Sequence, residues 1–391
     1  MTPSVAIIGT RGYPSYYGGF ETLVRHLAPY LADSGWDVTV YSRPGAVSTS
    51  DDEFDPRVRS VMTRGFETKS ISTLSYGASS CMDAALKKPD VALVMNVANG
   101  YWLPMLKARG IPTAINVDGI EWERQKWGSN AKRVFLAGAK LTAKLGTELI
   151  IDAKALELRW QEDFGRGGTF IPYGGTVPGD LDVPDGLQRR SYVLMVARFV
   201  PENSFDEFLG AAEILCKDTN VVIVGSSGYG GALDARVKQL AEQNANVSWL
   251  GHVSDDSLLF ALWQNAGAYF HGHSVGGTNP ALVQAMACGA PIVARDTVYN
   301  REVLGPQALV VEPNSIAIAA KIRQLLSDPN LQKSQSAAAS KRAMDTYSWA
   351  GVCAAYESVL SKLASDEHNP TGSRRHRAKA LGFRRPGEVL E

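Results

Sequence analysis

Residues 269–295 read YFHGHSVGGTNPALVQAMACGAPIVAR. The apolar run at 266–270, which leads into this stretch, predicts a buried strand, and a glycine pair at 276–277 follows it. A helix is then expected up to the Gly-Ala-Pro sequence at 289–291, which ends it. The stretch therefore predicts a strand–loop–helix unit, which is the building block of a parallel α/β sheet.

The start of this predicted helix is suited to an anion. Thr278 or Asn279 can cap it, and Pro280 fits its first turn. Glycines just before a helix leave several backbone N–H groups bare, and the helix dipole adds positive charge there. The pattern indicates a cradle for a diphosphate or a carboxylate, although an ordinary strand–loop–helix connection would look the same.

Length and composition limit the classes of protein to consider. The chain has 391 residues, which suits two domains, and its zero net charge gives no reason to expect nucleic acid as a partner. Its four cysteines are scattered, which fits a reducing compartment and no structural zinc site. The first residues do not resemble a secretory signal, and no apolar run approaches the ~20 residues of a membrane span. We therefore expect a cytoplasmic protein, with the inner face of the cell membrane as a second location to test.

The chain begins with a similar strand–loop–helix unit. A buried strand is predicted at 5–8, a helix over 20–31, and the loop between them is rich in glycine and tyrosine. The Gly18-Gly19 pair at the helix start is again an anion-binding arrangement, although a flexible loop is the alternative. The spacing is not GxGxxG, so a dinucleotide oxidoreductase is disfavoured.

Polar residues follow a later strand, predicted at 113–117. Asp118 and Glu121 come directly after it, and ligands of open parallel sheets bind at the carboxyl ends of strands. The two carboxyl groups are candidates for sugar-hydroxyl contacts or for a general base. The alternative is that Asp118 caps the next segment.

Two basic segments raise the question of a membrane. The predicted helix at 129–147 mixes lysines with apolar residues, which suits either an anionic bilayer or packing on the sheet. The tail at 366–391 is basic, lacks apolar periodicity and is expected to be disordered.

The second half of the chain repeats the alternation of strands and helices. The segment 174–190 is rich in Gly, Pro and Asp and is predicted to link two domains. Arg198 follows the first strand after this linker, where a guanidinium can bind a diphosphate through two parallel hydrogen bonds. The alternative is a surface salt bridge with Glu202. Two doubly wound Rossmann-like α/β domains with a cleft between them are therefore expected.

These residues carry a resemblance to glycosyltransferase family 4, which has the GT-B fold, and within it to bacterial rhamnosyltransferase-like members. The matching segments are VLMVARFVPEN (193–203), VVIVGSSG (221–228), WLGHVSDDSLLFALWQNAGAYFHGHS (249–274), PALVQAMACGAPIVA (280–294), AIIGTRGYPSYYGGFETLVRHLAPYLADSGWDVTVYSR (6–43), INVDGIEWER (115–124) and TYSWAGVCAAYESVL (346–360). The resemblance implies an acceptor-side domain at 1–175 and a nucleotide-sugar domain at 190–345. It also implies a helix at 346–365 that crosses back to the first domain.

The resemblance implies transfer of a sugar from a nucleoside-diphosphate sugar to a saccharide or lipid-linked acceptor, usually with retained configuration and without a metal or cofactor. Asp118 and Arg198 are the implied catalytic residues. The implied donor-binding residues are Arg11, Gly18, Gly19, Gly225, Val253, Gly276, Gly277, Thr278, Asn279 and Gln284. The residues expected on the acceptor side are Tyr16, Tyr17 and Glu121.

Three positions depart from the family pattern. Relatives usually carry a lysine at the position of Asn203 and glutamates at the positions of Gly276 and Gln284. Backbone groups would then have to hold the sugar, while Gln284 could still bind a ribose hydroxyl as a neutral amide. Two alternatives stay open: a nucleotide-sugar epimerase of the same fold, and a non-catalytic binding protein.

Overall fold

The computed structural model describes residues 2–16, 18–46, 51–67, 72–124, 127–228 and 230–366. Tyr17 and almost all of the basic tail lie outside the described residues.

The first domain contains a parallel sheet of seven strands. In chain order its strands are β1 (Ser4–Ile8), β2 (Asp37–Ser42), β3 (Arg59–Met62), β4 (Val91–Met95), β5 (Thr113–Asn116), β6 (Glu148–Ile151) and β7 (Thr169–Phe170). Its helices are α1 (Gly19–Asp33), α2 (Ser72–Lys87), α3 (Leu103–Ala108), α4 (Ser129–Leu145) and α5 (Lys154–Phe164). The strand order is β3-β2-β1-β4-β5-β6-β7, so the chain winds outward from β1 in both directions.

The second domain repeats this plan with six strands. They are β8 (Val193–Val196), β9 (Val221–Val224), β10 (Val247–Gly251), β11 (Ala268–His271), β12 (Ile292–Arg295) and β13 (Leu309–Val311). The helices are α6 (Phe205–Leu215), α7 (Ala232–Gln243), α8 (Asp256–Asn265), α9 (Pro280–Ala287), α10 (Val298–Leu304), α11 (Ser315–Leu326) and α12 (Pro329–Thr346). The order β10-β9-β8-β11-β12-β13 is parallel throughout. The expected pair of doubly wound domains is confirmed.

The strands are buried because each sheet is covered on both faces. β4 and β9 are buried along their whole length, as their unbroken apolar sequences predict. Each domain has two apolar clusters, one on each face of its sheet. This layering leaves the carboxyl ends of the strands as the places where polar loops meet.

The last helix, α13 (Trp349–Asp366), returns to the first domain. Tyr356 is buried in the cluster beneath α1, and its hydroxyl accepts a hydrogen bond from Asn116 at 2.7 Å. Trp349 stacks on His26 of α1 with ring centroids 4.1 Å apart. The expected crossing of the C-terminal helix is therefore confirmed.

Two long helices, α2 and α12, are not expected from the sequence. The sequence of α12 is PNLQKSQSAAASKRAMDT, in which small and polar residues leave only a weak apolar stripe. Hydrophobic periodicity is the main signal of a helix in a sequence, so a helix with little of it is easily missed.

The two domains also contact each other through a helix end. The first turn of α5 has no capping side chain of its own, because its N-cap residue is Ala153. Glu302 of α10 supplies the cap from the second domain, accepting hydrogen bonds from the backbone N–H groups of Lys154 at 2.6 Å and Ala155 at 2.9 Å. A carboxylate at a helix N-terminus is stabilising, so Glu302 links the domains.

Replacing Glu302 with alanine should therefore weaken this interdomain contact. Loss of a helix cap costs about 0.5–2 kcal/mol, so we expect a lower midpoint of thermal unfolding and a larger radius of gyration in X-ray scattering. Glu312→Ala, at an exposed carboxylate of the second domain, is the matched control. Equal midpoints and radii for the two variants would contradict the assigned role.

Candidate active site

Residues 276–280, called the donor turn, lie in the gap between the carboxyl ends of the two sheets. Gly276 has φ +74°, and a Cβ added to it would lie 2.7 Å from the Cα of Gly119 in the first domain. A Cβ on Gly277 would overlap the carboxylate of Asp152, and the hydroxyl of Thr278 donates to the backbone carbonyl of Asp152. The donor turn therefore contacts the first domain through three consecutive residues.

The helix that follows the donor turn starts as its sequence predicts. Asn279 is the N-cap of α9, its Oδ1 accepts from the N–H of Ala281 at 3.0 Å, and Pro280 is the first helical residue. The backbone N–H groups of Gly277 and Asn279 donate to no other described residue. The local geometry of an anion cradle is present, and its role in donor binding stays a prediction.

A second helix start faces the first across the gap. Gly18 is the N-cap of α1, and a Cβ added to Gly19 would lie 3.1 Å from Cγ of Pro280. Arg11 and the buried Arg43 lie nearby at the ends of β1 and β2, where the N–H of Arg43 donates to the carbonyl of Arg11 at 2.7 Å. The N-termini of α1 and α9 thus face each other, which favours an anion. The two arginines are partly balanced, since Glu21 accepts from the N–H of Arg11 at 2.9 Å and Oε1 of Glu67 lies 3.7 Å from Nη1 of Arg43.

Arg198 lies on the loop after β8, at the gap side of the second sheet. Its side chain is exposed, and its carbonyl accepts a hydrogen bond from Nδ2 of Asn203 at 2.9 Å. Arg198 forms no ion pair with Glu202 or any other described residue, and Glu202 itself is buried. The salt-bridge alternative is therefore disfavoured, and the guanidinium remains available to a ligand.

Asn203 and His273 hold the base of the donor turn. Nδ1 of His273 lies 2.7 Å from Oδ1 of Asn203, and Nε2 lies 2.8 Å from the carbonyl of Val275. Burial, together with the nearby charges of Arg124 and Arg198, lowers the pKa of His273 to about 4. The ring therefore carries one proton near neutral pH and donates to only one of these two acceptors.

Two carboxyl groups follow neighbouring strands of the first sheet. Asp118 comes after β5, is half-buried, and adopts φ +58°, with its N–H donating to Oδ1 of Asn116 at 3.0 Å. Asp152 comes after β6 and is only 3% exposed. Burial, and secondarily the charge of Asp118, raises the pKa of Asp152 to about 8. The two groups are thus close enough to interact, and the structure adds Asp152 to the predicted site.

The residues predicted on the acceptor side are arranged differently. Glu121 is buried, with Oε1 2.8 Å from Nε of Arg124 and Oε2 accepting from Nε1 of Trp127 at 2.7 Å. Both oxygens are engaged within one loop, which favours a structural role for Glu121 over acceptor binding. Tyr16 is 49% exposed and lies under the guanidinium of Arg25, 4.1 Å from ring centroid to Cζ. The hydroxyl of Tyr16 donates to Oδ1 of Asp51 at 2.8 Å, and its role on the acceptor side stays a prediction.

Two of the residues predicted to bind the donor, Gly225 and Val253, come together at the ends of β9 and β10. The N–H of Gly225 donates to the carbonyl of Gly251 at 2.6 Å, and Val253 is half-buried two residues further on. Gly225 has φ +122°, and a Cβ there would overlap the carbonyl of Ala197. Only glycine fits this position, because neither the backbone angle nor the neighbouring backbone accommodates a side chain.

Gln284 is engaged by the segment that joins the domains. Its Oε1 accepts from the N–H of Thr176 at 2.9 Å, and its Nε2 donates to the carbonyl of Thr176 at 2.7 Å. The amide thus pairs with the backbone as a neighbouring strand would. This arrangement argues against the predicted ribose contact, because both polar ends of the side chain are already in use.

Replacing Gln284 with glutamate should destabilise the protein without changing nucleotide affinity. The carboxylate can still accept from Thr176 but cannot donate, so two oxygens would face each other at a cost of about 1–3 kcal/mol. Urea denaturation measures the stability, and calorimetry measures the Kd for a nucleoside diphosphate. Gln335→Glu, which alters one exposed hydrogen bond on α12, is the control. A large loss of affinity at unchanged stability would restore the ribose assignment.

Sequence reasoning misses two residues of this site. Arg124 approaches the donor turn from the first domain: its Nη2 lies 3.4 Å from the point that a Cβ on Gly119 would occupy, and its charge acts on His273. Its position follows from a loop that carries no periodic signal. Asp152 follows the buried strand ELII as Asp118 follows its own strand, so the strand-end rule applied to Asp118 also identifies Asp152.

A cavity of about 190 Å³ opens beside the donor turn. Residues of both domains line it, among them Ile120, Glu123, Glu202, Ser274, Arg295 and Tyr299. Ligand pockets usually measure about 300–1,000 Å³, so this space is too small for a nucleotide sugar. Neither Arg198 nor Gly277 lines it, so this cavity is at most one part of a donor site.

The described residues show neither a cluster of metal ligands nor a membrane span. Within those ranges, His, Cys, Asp and Glu form no group of three or more that could hold a metal ion. None of the helices there combines the length and apolar character that crossing a bilayer demands.

Comparison with solved structures identifies the architecture. Sucrose-phosphate synthase from Thermosynechococcus elongatus superposes with a TM-score of 0.80 at 18% identity, covering 93% of this chain and 100% of that one. The Anabaena protein HepE in complex with UDP-glucose superposes with a TM-score of 0.71 at 15% identity, covering 92% and 99%. The chain has the GT-B fold. At these identities the likeness concerns the fold alone.

Comparison by sequence adds information on each half of this GT-B chain. Residues 185–342 match the family model described as Glycosyl transferases group 1, and residues 2–176 match a domain of unknown function, DUF1972. O-antigen chain mannosyltransferase B of Escherichia coli is 29% identical over 170 residues, which are 42% of this chain and 44% of that protein. The chain thus spans less than half the length of this curated relative. These matches support a glycosyltransferase, and the rhamnosyltransferase-like subgroup stays a prediction.

Proposed function

We propose that this protein is a glycosyltransferase that moves a sugar from a nucleoside-diphosphate sugar to a saccharide or lipid-linked acceptor in surface polysaccharide synthesis. The observation that carries the proposal is the convergence of the N-termini of α1 and α9 in the gap, with Arg198 exposed at its edge. Fixed positive dipoles and a free guanidinium suit a leaving diphosphate. The group 1 family match over the second domain supports the same function.

The proposed mechanism depends on stabilising separated charge. When the bond between the sugar C1 and the diphosphate oxygen breaks, negative charge grows on the diphosphate and positive charge on the sugar. Arg198 and the N–H groups of Gly277 to Asn279 stabilise the diphosphate, while the carboxyl group of Asp118 faces the sugar. The acceptor hydroxyl then bonds to C1 and passes its proton to the departing diphosphate oxygen. Retention of configuration and independence of a metal are parts of the proposal.

The proposed donor sugar is rhamnose or another 6-deoxyhexose. The resemblance of the first domain to rhamnosyltransferase-like members supports this choice. A hexose is the alternative, because the Escherichia coli relative is named a mannosyltransferase and HepE binds UDP-glucose. The name of the former, an O-antigen chain enzyme, supports a surface polysaccharide as product.

Contact with the inner face of the cell membrane is proposed through α4. The side of this helix that carries Arg133, Lys140 and Lys144 is exposed, as is 38% of Val134, whereas Ala139 and Thr142 pack inward. Basic residues beside an exposed apolar one favour an anionic surface. The inward packing is also consistent with the alternative, in which α4 only covers the sheet. Liposome co-sedimentation distinguishes the two.

The function is tested with a thermal-shift panel of nucleoside diphosphates, followed by mass spectrometry of products made from a lipid-linked acceptor. We expect one diphosphate to stabilise the protein and the acceptor to gain one hexose or deoxyhexose mass, in the presence of EDTA as in its absence. Proton NMR of the product reports the anomeric configuration. Stabilisation without any product would favour a binding protein, and conversion of the donor sugar without transfer would favour an epimerase.

A further inference from the structure

Asp152 is a buried carboxyl group for which the fold offers no complete set of partners. It follows β6 at the gap and is 3% exposed. Its Oδ1 has no hydrogen-bond partner among the described residues. Burying an unpaired polar oxygen is unfavourable, and such atoms in a native protein often mark a ligand site.

The position of this carboxyl group is set by the donor turn of the opposite domain. The hydroxyl of Thr278 donates to the backbone carbonyl of Asp152. The carboxylate lies directly against Gly277, where any Cβ would overlap both of its oxygens. The absence of a side chain at Gly277 therefore leaves room for the carboxylate of Asp152 directly against the donor turn.

We propose that Asp152 binds a hydroxyl group of the sugar being transferred and helps to select that sugar. This inference rests on the proposed function and deepens it. If the N–H groups of Gly277 and Asn279 hold the diphosphate, the sugar bonded to it lies close to the donor turn and to Asp152. A sugar hydroxyl both donates and accepts hydrogen bonds, so it matches a carboxyl group in either protonation state.

Electrostatics favours the sugar over the diphosphate as the partner of Asp152. A carboxylate beside a diphosphate would repel it, and the repulsion is strong in a buried site. Burial and the charge of Asp118 raise the pKa of Asp152, although backbone hydrogen bonds from Thr278 and from Asp152 itself act in the opposite direction. The protonated form can donate to a sugar oxygen. Because Asp152 belongs to the first domain and the N–H groups to the second, this contact forms only when the domains close on the donor.

The chain itself explains why a side chain from the opposite domain is needed here. Both residues at the start of the donor turn, Gly276 and Gly277, lack side chains. On the sequence alone, backbone groups are therefore expected to hold the sugar unaided. Asp152 supplies the side-chain hydrogen-bonding group that the turn itself does not carry.

The test compares wild type, Asp152→Asn and Asp152→Ala with the preferred nucleotide sugar and with analogues that each lack one hydroxyl. We expect Asp152→Ala to lower kcat/KM for the complete donor by about 10- to 100-fold, the effect of losing a hydrogen bond to a charged or buried group. The Kd for the free nucleoside diphosphate should not rise, because that ligand lacks the sugar and so loses no favourable contact with Asp152. Asp163→Asn, at an exposed carboxylate on α5, controls for the chemical change.

The decisive outcome is the pattern across analogues. For one deoxy donor, kcat/KM of the wild type should be low, and Asp152→Ala should lower it no further. If Asp152→Ala discriminates among the analogues as the wild type does, the inference is overturned while the proposed function stands. If the wild type transfers sugar from no nucleotide sugar tested, the proposed function fails and this inference fails with it.

A second pair of variants tests the geometry without depending on the sugar. Gly277→Ala should raise the Kd for the nucleoside diphosphate and lower the unfolding midpoint, because its methyl group overlaps Asp152. Both the change in Kd and the change in the unfolding midpoint should be at least about fivefold smaller when Asp152→Ala is also present. The reason is that the effects of substitutions at residues in contact are not additive. Additive effects of the two substitutions would overturn the assigned position of Asp152.

Discussion

Replacing Arg198 with alanine should reduce kcat/KM for sugar transfer by about 10²- to 10³-fold, the usual loss when one group that stabilises developing charge is removed. The unfolding midpoint should stay within about 1 °C of wild type. The reason is that the side chain is exposed and its guanidinium forms no ion pair or hydrogen bond with another described residue, so the folded state loses little. Steady-state kinetics with the donor identified by thermal shift, and a thermal melt, measure the two quantities.

Two further variants make this result specific. Arg198→Lys keeps the charge but loses the planar guanidinium, which can donate two parallel hydrogen bonds. Its transfer activity should therefore lie between those of the wild type and Arg198→Ala. Arg236→Ala is the matched control, since Arg236 is an exposed arginine on α7 whose ion pairs involve only Asp206 and Glu213 among the described residues. Full transfer activity in Arg198→Ala would refute the assignment of Arg198 to the diphosphate.

Replacing Gly276 with alanine should reduce transfer by about 10²-fold while leaving the fold of each domain intact. Two effects combine at this position. A φ of +74° costs an alanine about 1 kcal/mol. The new Cβ would also lie 2.7 Å from Cα of Gly119 and 3.2 Å from N of Ile120, and these backbone atoms cannot rotate away. The domains would therefore be held apart, and misplacement by about 1 Å is enough for a loss of this size.

X-ray scattering should show a larger radius of gyration for Gly276→Ala than for wild type, and circular dichroism should show unchanged secondary structure. Gly186→Ala controls for the backbone strain, because Gly186 has φ +76° and nothing within 4 Å of an added Cβ. Wild-type transfer by Gly276→Ala would show that the contact with Gly119 is not needed for catalysis.

Arg198 and Gly276 contribute to the same reaction in two different ways. Arg198 is expected to act on the chemical step, so its loss should appear mainly in kcat at saturating donor. Gly276 is expected to act on closure, so its substitution should change kcat and KM together. Glu302 contributes to closure from a second point on the same domain, and its smaller expected effect reflects one helix cap rather than a steric block.

Local features of this site can be predicted from the sequence because their causes lie within a few residues. Asn279 caps α9 and Pro280 opens it, as their side chains require, and the glycine pair before them leaves the N–H groups bare. The fold follows from buried apolar strands that alternate with amphipathic helices. Where that periodicity is weak, as in α12, the helix is missed.

Long-range partners cannot be predicted in this way. Gln284 meets Thr176, a residue 108 positions away, and no pattern near either residue indicates that their polar groups pair. The strand end before Glu121 predicts a sugar-hydroxyl contact or a general base, yet Arg124 and Trp127 engage both of its oxygens. A strand end identifies which residues reach the gap, but the packing around each side chain decides what it contacts.

Short stretches of the chain are enough to establish the two α/β domains, the polar strand ends and the helix starts that favour an anion, because these depend on periodicity, capping and backbone freedom. The packing of the folded domains is needed to show that Asp152 meets Gly277, that Glu302 caps α5, and that the N-termini of α1 and α9 face each other. Each of these contacts joins residues more than a hundred positions apart, and their distance is set by how two separately folded sheets pack through α13 and the donor turn.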